Sequence, residues 1–236
     1  MLENLSPVLA LIPARSGSKG LQGKNMLEVN DIPLVGYSIL AALNSRYINE
    51  VYLTSDDSVT LSYGMEMGVN PVVRPWAVSN DTASANDVVK HFITTLPTSL
   101  LKHDPYIVYL QPTSPLRTAK HIDDAMSEMK AKGFTTLVSV VEMTKSPFKS
   151  FIFDNDGCLQ ALFDEAMTNK RRQDLPSVYA ANGAIYIFRV SNFNERSAFP
   201  SNGALPYVMT DRDSLDIDTK EDFALLERSI YDKRQE

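Results

Sequence analysis

Short apolar runs alternate with stretches of helical periodicity through the first half of the chain, which predicts a parallel α/β fold. Residues 8–12 read as a buried first strand, and residues 33–43 as a helix with proline near its start. Residues 51–54 and 72–73 read as further short strands. Between them a helix over 58–67 is predicted to stop at Gly68. Residues 86–96 predict another helix, 106–110 a buried strand, and Thr118 the N-cap of a helix ending near Gly133. The β-branched run 135–141 adds one more strand.

After Met143 the rhythm changes. Two short apolar runs, 151–153 and 158–160, flank Asp154-Asn-Asp-Gly157 and predict a hairpin. A polar stretch rich in Arg and Gln follows, and core strands resume over 184–190 and 207–209. Residues 143–182 therefore read as an excursion from one α/β domain spanning 1–236, serving as a lid or an oligomer contact. Thr219-Lys-Glu-Asp222 resembles a capping box opening an amphipathic helix that ends near Tyr231.

The polar residues between these elements carry the candidate chemistry. Residues 11–25 leave the first strand through a loop with three glycines (Gly17, Gly20, Gly23) and three cations (Arg15, Lys19, Lys24). Glycines let backbone N–H groups approach phosphate oxygens, and the cations add full charge there. A Walker A loop is excluded, because Asn25 follows Gly23-Lys24 where Ser or Thr is required. The G-x-G-x-x-G dinucleotide fingerprint is absent as well. Asp216 and Asp218 alternate about Ile217, so on an extended segment both carboxylates face one way, an arrangement suited to Mg²⁺. Asp218 could instead cap the last helix.

The loop Gln111-Pro-Thr-Ser-Pro-Leu-Arg117 is stiffened by two prolines and is expected to offer an amide, hydroxyls and a guanidinium to sugar hydroxyls. Arg74 reads as a nucleotide contact or a surface ion pair. Lys149, Arg171 and Arg172 lie in the excursion, solvated or facing a substrate carboxylate. His91, His103 and His121 lack metal-ligand spacing and read as structural or exposed. Trp76 reads as a packed loop anchor more than a nucleotide platform. In an open parallel sheet the glycine-rich loop, Arg74, the Gln111 loop and the Asp pair fall at strand C-terminal ends, so one shared cleft is expected.

Charge narrows the ligand. The formal net charge of −6 over 236 residues argues against nucleic-acid or anionic-membrane partners, so any phosphate must be held by local cations. Cys158 is the only cysteine, which excludes an intrachain disulfide. Glu3 and the short first apolar run do not fit a signal peptide, and no stretch nears the roughly 18 apolar residues of a membrane helix. These features predict a soluble cytoplasmic protein.

Five segments in register resemble the CMP-N-acylneuraminate cytidylyltransferases, also called CMP-sialic acid synthetases. They are residues 12–25, Asp81-Thr-Ala-Ser84, Leu110-Gln-Pro-Thr-Ser-Pro-Leu-Arg117, Asn182-Gly-Ala-Ile-Tyr-Ile187 and Asp216-Ile-Asp218. The resemblance implies a nucleotidyltransferase-like (Rossmann-like) α/β fold: a mostly parallel sheet flanked by helices, with a small protruding dimerisation element. It implies CMP transfer from CTP to the anomeric hydroxyl of a nine-carbon sugar acid, with release of pyrophosphate, Mg²⁺ as cofactor and a homodimer. By matching position, Ala14, Arg15, Lys19, Lys24, Asn25, Arg74 and Ser84 would bind the nucleotide. Gln111, Lys149, Arg172, Asn182 and Tyr186 would line the sugar-acid pocket. Asp216 and Asp218 would hold the metal, and Arg15, Lys24 and Asp216 would be catalytic, with Asp216 or a metal-held hydroxide as base.

Ala85 departs from the family pattern where a serine would contact the cytidine, while departures at Ala180-Ala181 and Ala198-Phe199 fall on the sugar side and leave the sugar open. N-acetylneuraminate is favoured, ahead of legionaminate, pseudaminate and the eight-carbon ketodeoxyoctulosonate. A catalytically inactive nucleotide-binding regulatory subunit is the alternative of another class, and a sugar-1-phosphate nucleotidyltransferase is a third reading.

Overall fold

The computed structural model describes residues 6–17 and 20–233. Strand β1 (Val8–Pro13) is buried from Val8 to Ile12, as a strand covered on both faces must be. A ribbon of β2 (Glu28–Val29) and β3 (Ile32–Pro33) turns through Asn30 and Asp31, both at positive φ, and delivers the chain to α1 (Leu34–Leu43). The alternation continues through β4 (Glu50–Ser55), α2 (Ser58–Glu66), β5 (Asn70–Val73), α3 (Ala85–Thr95) and the single turn α4 (Thr98–Leu101). Then come β6 (Tyr106–Tyr109), α5 (Ala119–Ala131) and β7 (Thr136–Glu142). Beyond β7 lie the hairpin β8 (Phe151–Phe153) and β9 (Leu159–Ala161) and the short α6 (Glu165–Thr168). The chain closes with β10 (Tyr179–Arg189), α7 (Val190–Arg196), β11 (Leu205–Met209) and α8 (Lys220–Lys233).

Seven strands form one sheet in the order β11-β7-β10-β6-β1-β4-β5. Every neighbouring pair is parallel except the two made by β10, so the sheet is mostly parallel. From β1 the chain steps outward to β4 and β5, then returns to the other side of β1 as β6. That reversal opens a crevice beyond the C-terminal ends of β1 and β6, where such sheets take their ligands.

Helices cover both faces. Val35 and Ile39 of α1 and Ile122 and Met126 of α5 pack on Val108 and Leu110. On the opposite face Val89 and Phe92 of α3 and Phe193 of α7 pack on Leu11, Ile107 and Phe188. A third cluster joins Val29 and Leu34 to Leu116, Ile217 and Leu226 of α8. It fixes Ile217, and with it the two aspartates on either side.

Strand β10 runs against its neighbours because the chain enters it from the excursion, which already sits at the ligand-binding end of the sheet. Its first half reaches beyond β6, and its register on β7 shifts between Ala181 and Tyr186, with Gly183 at φ 76°. Residues 179–182, at the end of the expected excursion, thus belong to the sheet. The hairpin turns at Gly157 (φ 77°), with Asp154 Oδ1 accepting from the N–H groups of Asp156 and Cys158. Its side chains project outward: Phe153 is 77% exposed and Leu159 67%. Among the described residues no helix is long and apolar enough to cross a membrane.

Candidate active site

The glycine-rich loop is held at both ends. Ala14, fully buried, donates its N–H to Thr54 O on β4 at 2.9 Å. Ser16 then donates its N–H and hydroxyl to the two oxygens of Asp56, at 2.9 and 2.6 Å. Burial acts to raise the Asp56 carboxyl, but the Ser16 hydrogen bonds and the Arg74 charge more than offset it and hold Asp56 below the usual range. At the far end Asn25, itself buried, donates its amide to Arg15 O at 2.9 Å and closes the loop on itself. Lys19 lies outside the described residues.

The aspartate segment meets this loop directly. Lys24 Nζ donates to Ile217 O at 3.0 Å and pairs with Asp218 Oδ1 at 2.9 Å. A Cβ on Gly20 would lie 2.4 Å from Asp218 O, a backbone atom that cannot swing away, so only glycine permits the approach. Ile217 is fully buried, and its N–H donates to Thr113 O at 2.8 Å, which turns Asp216 and Asp218 together into the cleft. The last helix takes its cap elsewhere: the Thr219 hydroxyl accepts from the Asp222 N–H at 3.2 Å, while Asp222 Oδ2 accepts from the N–H of Thr219 at 2.8 Å and of Asp218 at 3.1 Å. Asp218 is thereby released from capping.

These groups line one cleft of about 420 Å³ at the switch point. Arg15, Lys24, Asn25, Arg74, Ser84, Gln111, Asp216 and Asp218 all border it. Arg15 pairs across its mouth with Asp81 at 3.1 Å. Arg74 is 5% exposed, and its Nε and Nη2 have no hydrogen-bond partner among the described residues. Burial lowers its pKa, partly countered by Asp56. Ser84 caps α3 in a reciprocal box with Asp87, which places that helix start at the cleft. The Asp216 carboxyl is raised, first by partial burial between the loops and then by the charge of Asp218, against the Thr113 hydrogen bond and Lys24. A carboxylate in that state gains from a nearby cation.

Other predicted residues stand differently. Gln111 crosses Gly183, whose Cβ would meet Gln111 Oε1 at 2.3 Å. Tyr186 faces Phe199 at 5.1 Å between ring centroids. Asn182 is buried with both ends of its amide engaged: Oδ1 accepts from Ser139 at 2.6 Å and Nδ2 donates to Ser214 at 2.9 Å. Lys149 is exposed on the excursion, and Arg172 borders a separate hollow with Glu142 and Asp211. Within one chain neither lines the cleft.

Two expectations are corrected. Arg117 and Ser114 do not face a ligand: they are 1% and 0% exposed, and Arg117 Nη2 donates to Ser38 Oγ of α1. The guanidinium ties the loop to the helix, and burial pushes it down to about 9. Trp76 is 79% exposed, so it does not anchor its loop by packing. Asp56 was not expected at the site, nor was the use of Thr113 to hold the aspartate segment. The Ser55-Asp56-Asp57 run at a strand end was the available signal, since Asp57 caps α2 and leaves Asp56 for the loop.

Cations on a strand-end loop opposite paired carboxylates make a site for a ligand rich in anionic oxygens, in an α/β protein of nucleotide-binding type. The profile of the family described as Cytidylyltransferase matches residues 9–236, and the chain belongs to that family. It is 32% identical over 91% of its length to the N-acylneuraminate cytidylyltransferase of Streptococcus agalactiae serotype V, and spans 51%, about half, of that longer protein. It is 32% identical to the CMP-N,N'-diacetyllegionaminic acid synthase of Legionella pneumophila, covering 94% of this chain and 95% of that one. In fold it is similar to a CMP:2-keto-3-deoxy-manno-octonic acid synthetase solved in complex with CTP, with a TM-score of 0.70 at 16% identity over 97% of this chain and 100% of that one.

Proposed function

We propose that this chain transfers CMP from CTP to the anomeric hydroxyl of a nonulosonic acid and releases pyrophosphate, with N-acetylneuraminate the favoured acceptor. The observation that carries the reading is the meeting of Lys24 with Asp218 in one cleft, a phosphate-type loop against a carboxylate pair. Arg15 and Lys24 hold the triphosphate, while Asn25, Arg74 and the Ser84 turn hold the cytidine. The sugar hydroxyl oxygen bonds to the α-phosphorus, the α–β bridging P–O bond breaks, and the hydroxyl proton passes to a base. Asp216 is the cleft carboxylate whose proton affinity burial raises. Catalysis then rests on alignment and on fixed charge where charge develops.

Asp216 and Asp218 suit Mg²⁺, which takes oxygen ligands and is commonly held by one or two carboxylates plus substrate phosphates. Bound there, the ion supplies neutralisation of the departing pyrophosphate. Gln111 and Tyr186 border the acceptor's place. Lys149 and Arg172 ride on the protruding excursion, whose exposed Phe153 and Leu159 suit a covering surface. A homodimer in which the excursion of one copy reaches the cleft of the other would deliver them. A cytoplasmic setting fits the proposed use of CTP.

The test supplies the protein with CTP, Mg²⁺ and a panel of nonulosonic acids, ketodeoxyoctulosonate and sugar 1-phosphates while pyrophosphate is followed. Release with a nonulosonic acid is expected. Silence across the panel would instead favour a regulatory nucleotide-binding subunit, against which the retained Arg15, Lys24, Asp216 and Asp218 speak.

A further inference from the structure

Tyr109, at the end of β6, borders the cleft but was not among the residues expected there. Its ring meets Phe199 edge-on at 4.8 Å and Tyr186 at 6.3 Å between centroids. Ala85, at the start of α3, packs against the same cluster and borders the cleft. Tyr109 as a whole is only 3% exposed. The ring is packed while the residue still borders the cleft, and no side chain or backbone group among the described residues is hydrogen-bonded to its hydroxyl. The Tyr109 phenol feels the charge of Arg74 and of Tyr186, and Tyr186 in turn feels Asp216. Burial pushes the phenol well above its usual range, so it keeps its proton and can donate.

We propose that Tyr109 is a specificity-determining residue for the acceptor, its hydroxyl donating to a polar substituent, such as an amide oxygen, on the sugar acid. The ring belongs to the Tyr186–Phe199 wall, which supports the acceptor side over the nucleotide side. The cost of leaving the hydroxyl unpaired falls on acceptors that lack a matching oxygen, which is how a buried polar group discriminates. The inference rests on the proposed reaction.

Tyr109→Phe tests it, since the ring and its packing remain and only the oxygen is lost. Pyrophosphate release would be measured in wild type and variant with CTP and, separately, N-acetylneuraminate, legionaminate, pseudaminate and ketodeoxyoctulosonate. KM for the preferred acylamino acid is expected to rise roughly five- to tenfold, the worth of one net hydrogen bond, with KM for CTP unchanged. Preference over ketodeoxyoctulosonate, which lacks the amide, should shrink by a similar factor. A raised KM for CTP alone would move the hydroxyl to the nucleotide and overturn the assignment. Equal loss of kcat with every acceptor would reduce Tyr109 to a structural part, and an unchanged variant would remove it. An active wild type with an unchanged variant leaves the reaction standing. An inactive wild type removes both.

Discussion

Lys24 illustrates how one side chain serves both halves of the site. It bonds the aspartate segment at two points, yet it extends from the loop that should grip phosphate. Lys24→Ala should leave the fold intact and lower kcat/KM by about 10²- to 10³-fold, the usual effect of removing one charge-stabilising donor. Circular dichroism alongside turnover checks both parts. Asp216 carries a stability consequence of opposite sign. Its folded pKa is raised, so the native state holds its proton to higher pH than the unfolded chain does. Stability therefore falls as pH rises through the ordinary carboxylate range and the folded pKa, and the loss persists above it. Asp216→Asn should abolish turnover while leaving the melting temperature at neutral pH equal to or above wild type in metal-free buffer. A clear drop in that temperature would remove the argument. Gly20→Ala should cost at least about tenfold in kcat/KM, because its Cβ would push the loop off Asp218 O and misplacement near 1 Å is expensive in rate.

At the level of elements, caps divide the acidic residues between structure and chemistry. Asp57 accepts from the N–H groups of Val59 and Thr60 at 3.3 and 2.9 Å and from the Thr60 hydroxyl at 2.6 Å, so it starts α2. The Thr60 hydroxyl bond leads the causes that hold Asp57 below its usual range. Its contribution is therefore present above the ordinary Asp pKa and is lost as pH falls through the lowered value. Asp57→Ala should destabilise by about 1 kcal/mol with KM values unchanged, as urea denaturation and kinetics would show. Thr219, boxed with Asp222, performs the same service for α8, and Ser84 for α3. In the first and third of these caps a neighbour, Asp56 or Ala85, is left to face the cleft or its loop.

For the molecule as a whole, the outward-facing hairpin is the feature without a role inside one chain. Phe153 and Leu159 are mostly exposed, and apolar side chains grouped in this way mark contact surfaces. Light scattering should report twice the chain mass of 26.3 kDa, and paired Phe153→Asp and Leu159→Asp changes should return it to one. If the excursion serves the other copy's cleft, mixing Arg172→Ala with Asp216→Asn chains should restore roughly a quarter of the wild-type rate, since one of two clefts is intact in half of the dimers. Lack of recovery in verified mixed dimers would assign Arg172 to its own chain.

How much of this could be read from the residues follows from the range of the forces concerned. Strands, helices and caps were legible because they depend on neighbours a few positions away: the run 8–12, the Thr118 cap and the Asp154–Gly157 turn all stand where the pattern put them. The glycine-rich loop and the Asp216–Asp218 pair were legible as chemistry because glycine, lysine and alternating carboxylates have few other joint uses. The direction of β10 was not, since an apolar run looks the same from either end and only the entry from the excursion orders it. Nor was the fate of Arg117, because a cation goes inward only when packing elsewhere compels it. The Thr219–Asp222 box was legible as well, since its partners lie three residues apart; the tertiary structure alone decided that Asp218 faces Lys24, a pairing of residues nearly two hundred positions apart, where no local pattern reaches.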